Sequence, residues 1–372
     1  MKILYTATVL SHVCQFHLPH LEMLKERGYE IHVAAHDNLA EKNGLRLRFA
    51  DKFIEIPFDR SPASLKNFKA LRMLRRLINS EHYDLIVCNT PVGGIVTRLA
   101  AKRARRSGTK VIYIAHGFHF YKGAPKKSWL LFYPIEKLMA KHCDVLVTVN
   151  GEDFALAKTR FKKVTAEHIH GVGVREDRYR PASAEECAKM RKAEGLDERD
   201  FVLLCTGELN ENKDQKTFVS AAARLIEKIP ELKVLLAGNG PKENELRGQI
   251  KAFGLENTVK LLGYRTDLEN LVPAVDAVVS CSRREGMPLN IIEAMLCEKP
   301  VVASVNRGHS ELVRDGVNGY LFPAGDDEKL AECLEKLYED AALRASFGKA
   351  GFEIAQDYTV SAVKSEMERI IK

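Results

Sequence analysis

Short apolar runs of strand length alternate with amphipathic helical runs along this whole chain, and the alternation restarts once. Strands are predicted at 2–8, 30–35, 53–56, 85–88, 111–115, 145–149 and 168–170, with helical periodicity at 18–27, 65–78, 94–106 and 133–142. A second series of strands follows at 201–206, 233–237, 258–262, 276–281, 300–304 and 319–322. Strands separated by helix-length crossovers pair in parallel, and a parallel sheet needs helices over both of its faces. The pattern therefore predicts an α/β chain with two Rossmann-like, doubly wound parallel-sheet domains. A length of 372 residues gives each of them enough chain to bury its own core. Open parallel sheets bind ligands beyond their strand C-termini, so a ligand cleft between the two domains is expected.

The break between the two series falls at Gly171-Val172-Gly173-Val174, followed by Tyr179-Arg180-Pro181. The sixth position, counting Gly171 as the first, is not Gly but Glu176, so no Gly-x-Gly-x-x-Gly dinucleotide fingerprint is present there. No window approaches 18 uninterrupted apolar residues, which argues against a transmembrane helix. The N-terminus runs directly into Lys2-Ile3-Leu4-Tyr5 without a signal-peptide layout. The eight cysteines form no Cys-x-x-Cys pair, and several sit in strand-like runs, as small core residues of a reducing compartment do. A cytoplasmic location is expected.

Charge is divided unequally. Residues 1–175 hold 29 Lys+Arg against 15 Asp+Glu, a net +14, whereas the remainder holds 28 against 35, a net −7. A basic half points to a polyanionic surface. Nucleic acid is disfavoured because the basic segments carry no recognition module. One of them, 64–78, sets Lys66, Lys69, Arg72, Arg75 and Arg76 against Leu65, Phe68, Leu71, Leu74 and Ile78 at helical spacing. In another, Lys122, Lys126 and Lys127 precede Trp129-Leu130-Leu131-Phe132-Tyr133. Cations beside an aromatic-aliphatic run suit an anionic membrane interface.

The densest chemistry lies at Glu285-Gly286-Met287-Pro288-Leu289-Asn290-Ile291-Ile292-Glu293, directly after the strand at 276–281. A helix start supplies orphan N–H donors and a dipole that favours anions. The flanking carboxylates only accept hydrogen bonds, so they suit hydroxyls. A phosphate core with hydroxyls at both ends, as in a nucleotide sugar, fits that layout. Gly207-Glu208-Leu209-Asn210-Glu211-Asn212-Lys213 follows the first strand of the same half, and Gly238-Asn239-Gly240 and Gly263-Tyr264-Arg265 end the next two. In the first half, His116-Gly117-Phe118-His119 ends a strand, and Thr8 to His12, with Ser11, forms a loop after the first strand. Gly93 lies at the start of the helical run that follows Thr90-Pro91. His17-x-x-His20 and His116-x-x-His119 have ligand-like spacing but lack a clear third ligand, and no Asp-x-Asp pair occurs.

The Glu-x7-Glu stretch, the Gly-x-Gly-Val…Tyr-x-Pro segment and Lys213 together resemble retaining family-4 glycosyltransferases of GT-B fold. Phe58-Asp59-Arg60-Ser61-Pro62, the run from Ala115 to Pro125, and Tyr133-Pro134-Ile135-Glu136-Lys137 are similar to the subgroup that builds bacterial exopolysaccharide and capsule. The resemblance implies an acceptor-binding domain over residues 1–174 plus about 357–372, and a donor-binding domain over 175–356. It assigns the donor diphosphate to Lys213, with Gly207 and Asn212 beside it. It assigns the ribose to Glu293 and a hydroxyl of the transferred sugar to Glu285. The amides of Gly286, Met287, Leu289 and Asn290, next to Pro288, would meet the sugar or diphosphate. Gly238, Gly240, Tyr264 and Arg265 would border the base.

In the first half His116 would serve the reacting centre, with Ser11, His12, Gly93 and His119 on the acceptor side. The family usually has Arg where this chain has Glu208, which leaves one cation fewer beside the diphosphate. The implied reaction moves a hexose or N-acetylhexosamine from a nucleotide sugar, with UDP expected, to an undecaprenyl-diphosphate saccharide. Retention, no metal and no cofactor are expected, with the enzyme peripheral at the inner face of the plasma membrane. The competing readings are a nucleotide-sugar epimerase of similar shape and a non-catalytic nucleotide-sugar binder.

Overall fold

The structure, a computed structural model, describes residues 1–41 and 44–372. Runs such as Ile3-Leu4-Tyr5 and Val202-Leu203-Leu204 set bulky apolar side chains on both strand faces, and all of these residues are buried. Only a sheet covered on both faces can bury both sets. Two such sheets form, one in each compact unit: Met1–Gly173 with Val360–Lys372, and Val174–Thr359.

In the first unit the strands are β1 (Lys2–Val9), β2 (Glu30–His36), β3 (Lys52–Glu55), β4 (Leu85–Asn89), β5 (Lys110–Ala115), β6 (Val145–Thr148) and β7 (Thr165–His168). They pair in parallel in the order β3-β2-β1-β4-β5-β6-β7. In the second unit β8 (Phe201–Thr206), β9 (Leu232–Ala237), β10 (Val259–Gly263), β11 (Ala277–Ser280), β12 (Val301–Ser304) and β13 (Gly319–Phe322) pair in parallel as β10-β9-β8-β11-β12-β13. The order reverses between β1 and β4 in one sheet and between β8 and β11 in the other. Beyond the carboxyl ends of those strands each unit has its crevice for a ligand.

Four segments differ from the sequence expectation. The seventh strand lies at Thr165–His168 rather than 168–170, because His170 leaves the sheet to meet Glu366, with its Nδ1 2.7 Å from Oε1. Residues 9–12 are not a loop: β1 runs to Val9 and a helix, Leu10–Phe16, starts at once. The helical run at 94–106 begins earlier and divides into Pro91–Ala100 and Lys102–Arg106. The helix placed at 133–142 starts at Lys126 and carries Pro134 inside it. Proline costs a helix one internal hydrogen bond. Here Trp129, Phe132 and Tyr133 pack on the core before it, and the buried Glu136 and Met139 hold the helix after it.

A buried ion pair fixes the floor of the first crevice. The Arg98 guanidinium lies 2.8 Å from Glu136, donates to the Gly94 carbonyl at 3.0 Å and covers the Tyr113 ring at 3.8 Å. A side chain at Gly94 would stand 2.4 Å from that ring. These contacts tie the helix Pro91–Ala100 to β5, whose C-terminal end leads into His116. The last helix, Val360–Ile371, returns to the first unit, where Lys364 pairs with Glu22 at 2.8 Å and Lys110 Nζ donates to the Ile370 carbonyl at 2.8 Å.

Candidate active site

Beyond β8 and β11 two loops are stitched together. Arg283 N donates to Asn212 O at 2.7 Å, and Asn212 Nδ2 returns a bond to Arg284 O at 3.0 Å. Lys213 is set by its own N–H bonding Asn210 Oδ1 at 2.9 Å. Its ammonium donates to Glu285 Oε1 at 2.7 Å, with the two side chains only 23% and 16% exposed. Partial desolvation strengthens such a pair relative to one in water. Two glycines make room for it: a Cβ at Gly207 would lie 3.1 Å from Lys213 Cε, and one at Gly308 would lie 3.0 Å from Glu285. The structure thus brings together Gly207, Asn212, Lys213 and Glu285.

Next to Gly308, His309 is buried with Nδ1 2.6 Å from Ser304 O and Nε2 3.1 Å from Ser280 Oγ. Its Nδ1–H donates to the carbonyl, so Nε2 accepts from the serine. Burial pushes this imidazole down to about 4, which keeps it a neutral brace between the ends of β11 and β12. Gly308 and His309 were not among the candidates read from sequence. Their local signal is Asn306, which caps the helix Arg307–Leu312 by accepting from His309 N.

The helix Leu289–Leu296 begins after Pro288, which is buried, while Met287 and Leu289 lean on the core. Asn290 Nδ2 reaches the Thr206 carbonyl at the end of β8, at 3.4 Å. Glu293 lies four residues past Leu289, half-buried. Burial pushes its carboxyl up to about 7, against the opposing pull of a hydrogen bond from Tyr179. In the sequence Tyr179 marks only the passage between domains, and its position against Glu293 comes from the fold.

The other donor-side candidates divide. Gly238, at φ +153°, would place a Cβ 1.9 Å from Gly207 O, and Gly240 would place one 2.3 Å from Leu209 O. The close approach they permit is to the neighbouring backbone. Tyr264 is 70% exposed, whereas each guanidinium nitrogen of Arg265 is held by Asp267 or Glu194 at 2.7–2.8 Å. Glu208 is exposed and accepts from Asn210 Nδ2 at 3.0 Å. Near it, Arg283 Nη2 lies 3.2 Å from the buried Asp214.

In the first unit, the crevice between β1 and β4 gathers His12, His17 and His116. His17 Nε2 lies 3.3 Å from His12 Nε2 and 3.2 Å from His116 Nε2. Burial pushes His12 down to about 4 and holds His17 and His116 well below the usual histidine range, so the cluster is neutral. Ser11 is taken up by Asn38, which exchanges two bonds with it at 2.9 and 3.0 Å. Gly93 donates to Thr8 Oγ1 at 3.0 Å, and a Cβ there would meet the Thr8 N–H and Thr90 Oγ1 at 2.8 Å. His119 stays outside the cluster, exposed, with its ring against Phe132. Among the described residues no helix is long and apolar enough to cross a membrane.

Comparison with known proteins adds relatives. Residues 187–354 match the family model "Glycosyl transferases group 1", and residues 2–150 match "Glycosyl transferase 4-like". The chain is 41% identical over 370 residues to "Putative glycosyltransferase EpsD" of Bacillus subtilis, covering 99% of this chain and 96% of that one. It is 27% identical, over 90% of this chain and 87% of the other, to an Escherichia coli UDP-Gal:alpha-D-GlcNAc-diphosphoundecaprenol alpha-1,3-galactosyltransferase. Among solved structures, Anabaena HepE in complex with UDP superposes with a TM-score of 0.78 at 24% identity, over 100% and 99% of the two chains. At that identity the superposition speaks for the fold.

Proposed function

The chain belongs to the group 1, family-4-like glycosyltransferases of GT-B fold, and on that premise we propose that it moves a hexose or N-acetylhexosamine from a UDP-sugar to an undecaprenyl-diphosphate saccharide in exopolysaccharide or capsule synthesis. The observation that carries this reading is the Lys213–Glu285 pair at the β8/β11 crevice, four residues ahead of the start of a helix that bears Glu293. A diphosphate entering there takes the Lys213 ammonium and the orphan N–H donors of the helix start. Glu285, next to the same ammonium, accepts a hydroxyl of the transferred sugar, and Glu293 accepts the ribose hydroxyls.

With one ammonium and a helix start opposing the negative charge, departure of the diphosphate proceeds without a metal. Transfer keeps the anomeric configuration by attack on the face the diphosphate leaves, and the departing phosphate takes the acceptor proton. His116 belongs to the first unit, the unit that holds the acceptor. The acceptor class draws on the Escherichia coli relative and on a Campylobacter jejuni relative whose name also specifies a diphospho-undecaprenol-linked saccharide.

The first unit also presents a surface suited to an anionic bilayer. Leu65 and Phe68 are 81% and 70% exposed among exposed Lys66, Lys69 and Arg72. Leu130, Leu131, Ile135 and Leu138 are exposed on the helix that carries Lys126, Lys127 and Lys137. Each cation near such a surface is worth about 1 kcal/mol, so several hold the enzyme there. Two measurements test the reading. In a thermal-shift screen, UDP-sugars are expected to raise the unfolding temperature more than GDP- or ADP-sugars, and a flat response to all three counts against the donor assignment. Flotation with anionic vesicles is expected to be lost in Leu130→Ser/Leu131→Ser, and unchanged flotation removes the membrane role.

A further inference from the structure

The histidine cluster at the β1/β4 crevice brings ring nitrogens of three imidazoles close together. An imidazole nitrogen has one in-plane direction, occupied by either a hydrogen or a lone pair. His17 Nε2 nevertheless has His12 Nε2 at 3.3 Å and His116 Nε2 at 3.2 Å. One ring atom cannot serve both neighbours. The rings do not stack: they meet at 54°, 73° and 86°, so their edges converge. One ligating nitrogen from each of the three lies within 4.8 Å of the others. A cation bound tetrahedrally at the ordinary zinc–imidazole distance requires its nitrogens about 3.3–3.4 Å apart.

We propose that His12, His17 and His116 form a three-imidazole site for a divalent transition metal of the zinc class. The atoms behind the central ligand fit this role. His17 Nδ1 lies 2.8 Å from the buried Tyr5 hydroxyl, and in the tautomer that carries its hydrogen on Nδ1 the hydroxyl accepts it and leaves Nε2 as the lone pair. Asn89, which also bonds the Tyr5 side chain, is oriented by a bond from Nδ2 to the Thr6 carbonyl at 3.2 Å and holds its Oδ1 3.2 Å from His116 Nε2. A metal-ligating histidine characteristically has its second nitrogen fixed by such a partner. Three neutral nitrogens suit zinc, cobalt or nickel and do not suit magnesium, which selects oxygen. The site is therefore separate from the metal-independent handling of the diphosphate proposed above, although it engages His116 Nε2. Its fourth position is left for water or a hydroxyl.

The test titrates the full-length chain with Co²⁺, and in parallel with Zn²⁺, after alkylation of accessible thiols. Expected is one equivalent bound, with the intense visible bands of tetrahedral cobalt and no thiolate charge-transfer band. His12→Ala and His116→Ala are each expected to weaken binding at least tenfold, and Tyr5→Phe about tenfold. His12 is half-buried on a short helix, so its variant remains usable if the more buried positions do not tolerate change. No saturable binding, a thiolate signature, or unchanged affinity in either histidine variant overturns the proposal.

Discussion

Glu293 links stability, donor binding and pH in one group. Its carboxyl is raised from 4.5 to about 7, chiefly by burial, with Tyr179 pulling the other way. The folded state therefore holds a proton that the unfolded state has lost between those values, so stability falls as pH rises through that window. A difference of roughly 2.5 units corresponds to about 3 kcal/mol, fully forfeited above pH ~7. A donor whose ribose hydroxyls bond the carboxylate must displace that proton. At about pH 6, some nine-tenths of the protein carries it, so binding releases about 0.9 proton and affinity falls roughly tenfold per unit below 7. The histidines at the other crevice titrate far lower and do not interfere.

Calorimetry with UDP-glucose in two buffers of different ionisation enthalpy reads the proton directly, because a diphosphate diester has no group titrating near neutrality. Glu293→Gln is expected to abolish proton release, flatten the pH profile and weaken binding by about 1.5–3 kcal/mol, the worth of hydrogen bonds to a charged group. The same variant is expected to raise the melting temperature at about pH 8, since it removes the desolvated charge. Proton-free binding by the wild type, or a pH slope that survives in Glu293→Gln, refutes the ribose assignment.

Lys213→Ala is expected to lower kcat by about 10²–10³, as loss of one preorganised charge donor does, measured by UDP release at saturating donor. An effect confined to KM would place the ammonium in ground-state binding alone. Gly238→Ala drives a Cβ to 1.9 Å from Gly207 O and is expected to abolish soluble folded protein, read by circular dichroism and yield. Glu136→Ala strands the wholly buried Arg98 and is expected to cost about 3–5 kcal/mol in urea unfolding, with Arg98→Met/Glu136→Leu far less damaged.

Strands were legible because a parallel strand covered on both faces must be apolar throughout, and short runs such as Val202-Leu203-Leu204 meet that requirement. Boundaries failed where a tertiary partner decided them: Glu366 draws His170 out of the sheet, and core packing carries a helix through Pro134. Lys213 and Glu285 were each visible in their motifs, but their ion pair spans 72 positions and is made by the β8–β11 adjacency. The same holds for Arg265, whose Glu194 partner lies 71 positions away and takes a nitrogen that sequence reasoning left for a base. His17 was paired by spacing with His20, yet its closest ring partners include His116, 99 positions on. A helix break between Phe16 and Leu18 turns its Nε2 toward that ring. Short-range spacing carries no record of such a turn.

The transfer itself is tested most directly by incubating pure protein with a UDP-sugar panel and vesicles containing undecaprenyl-diphosphate saccharide, in the presence of a chelator. Expected is UDP release that depends on both substrates, with a lipid-linked product whose new linkage keeps the donor's anomeric configuration by NMR. Isomerised sugar in place of transfer, an inverted linkage, or a rate that only added magnesium restores contradicts it.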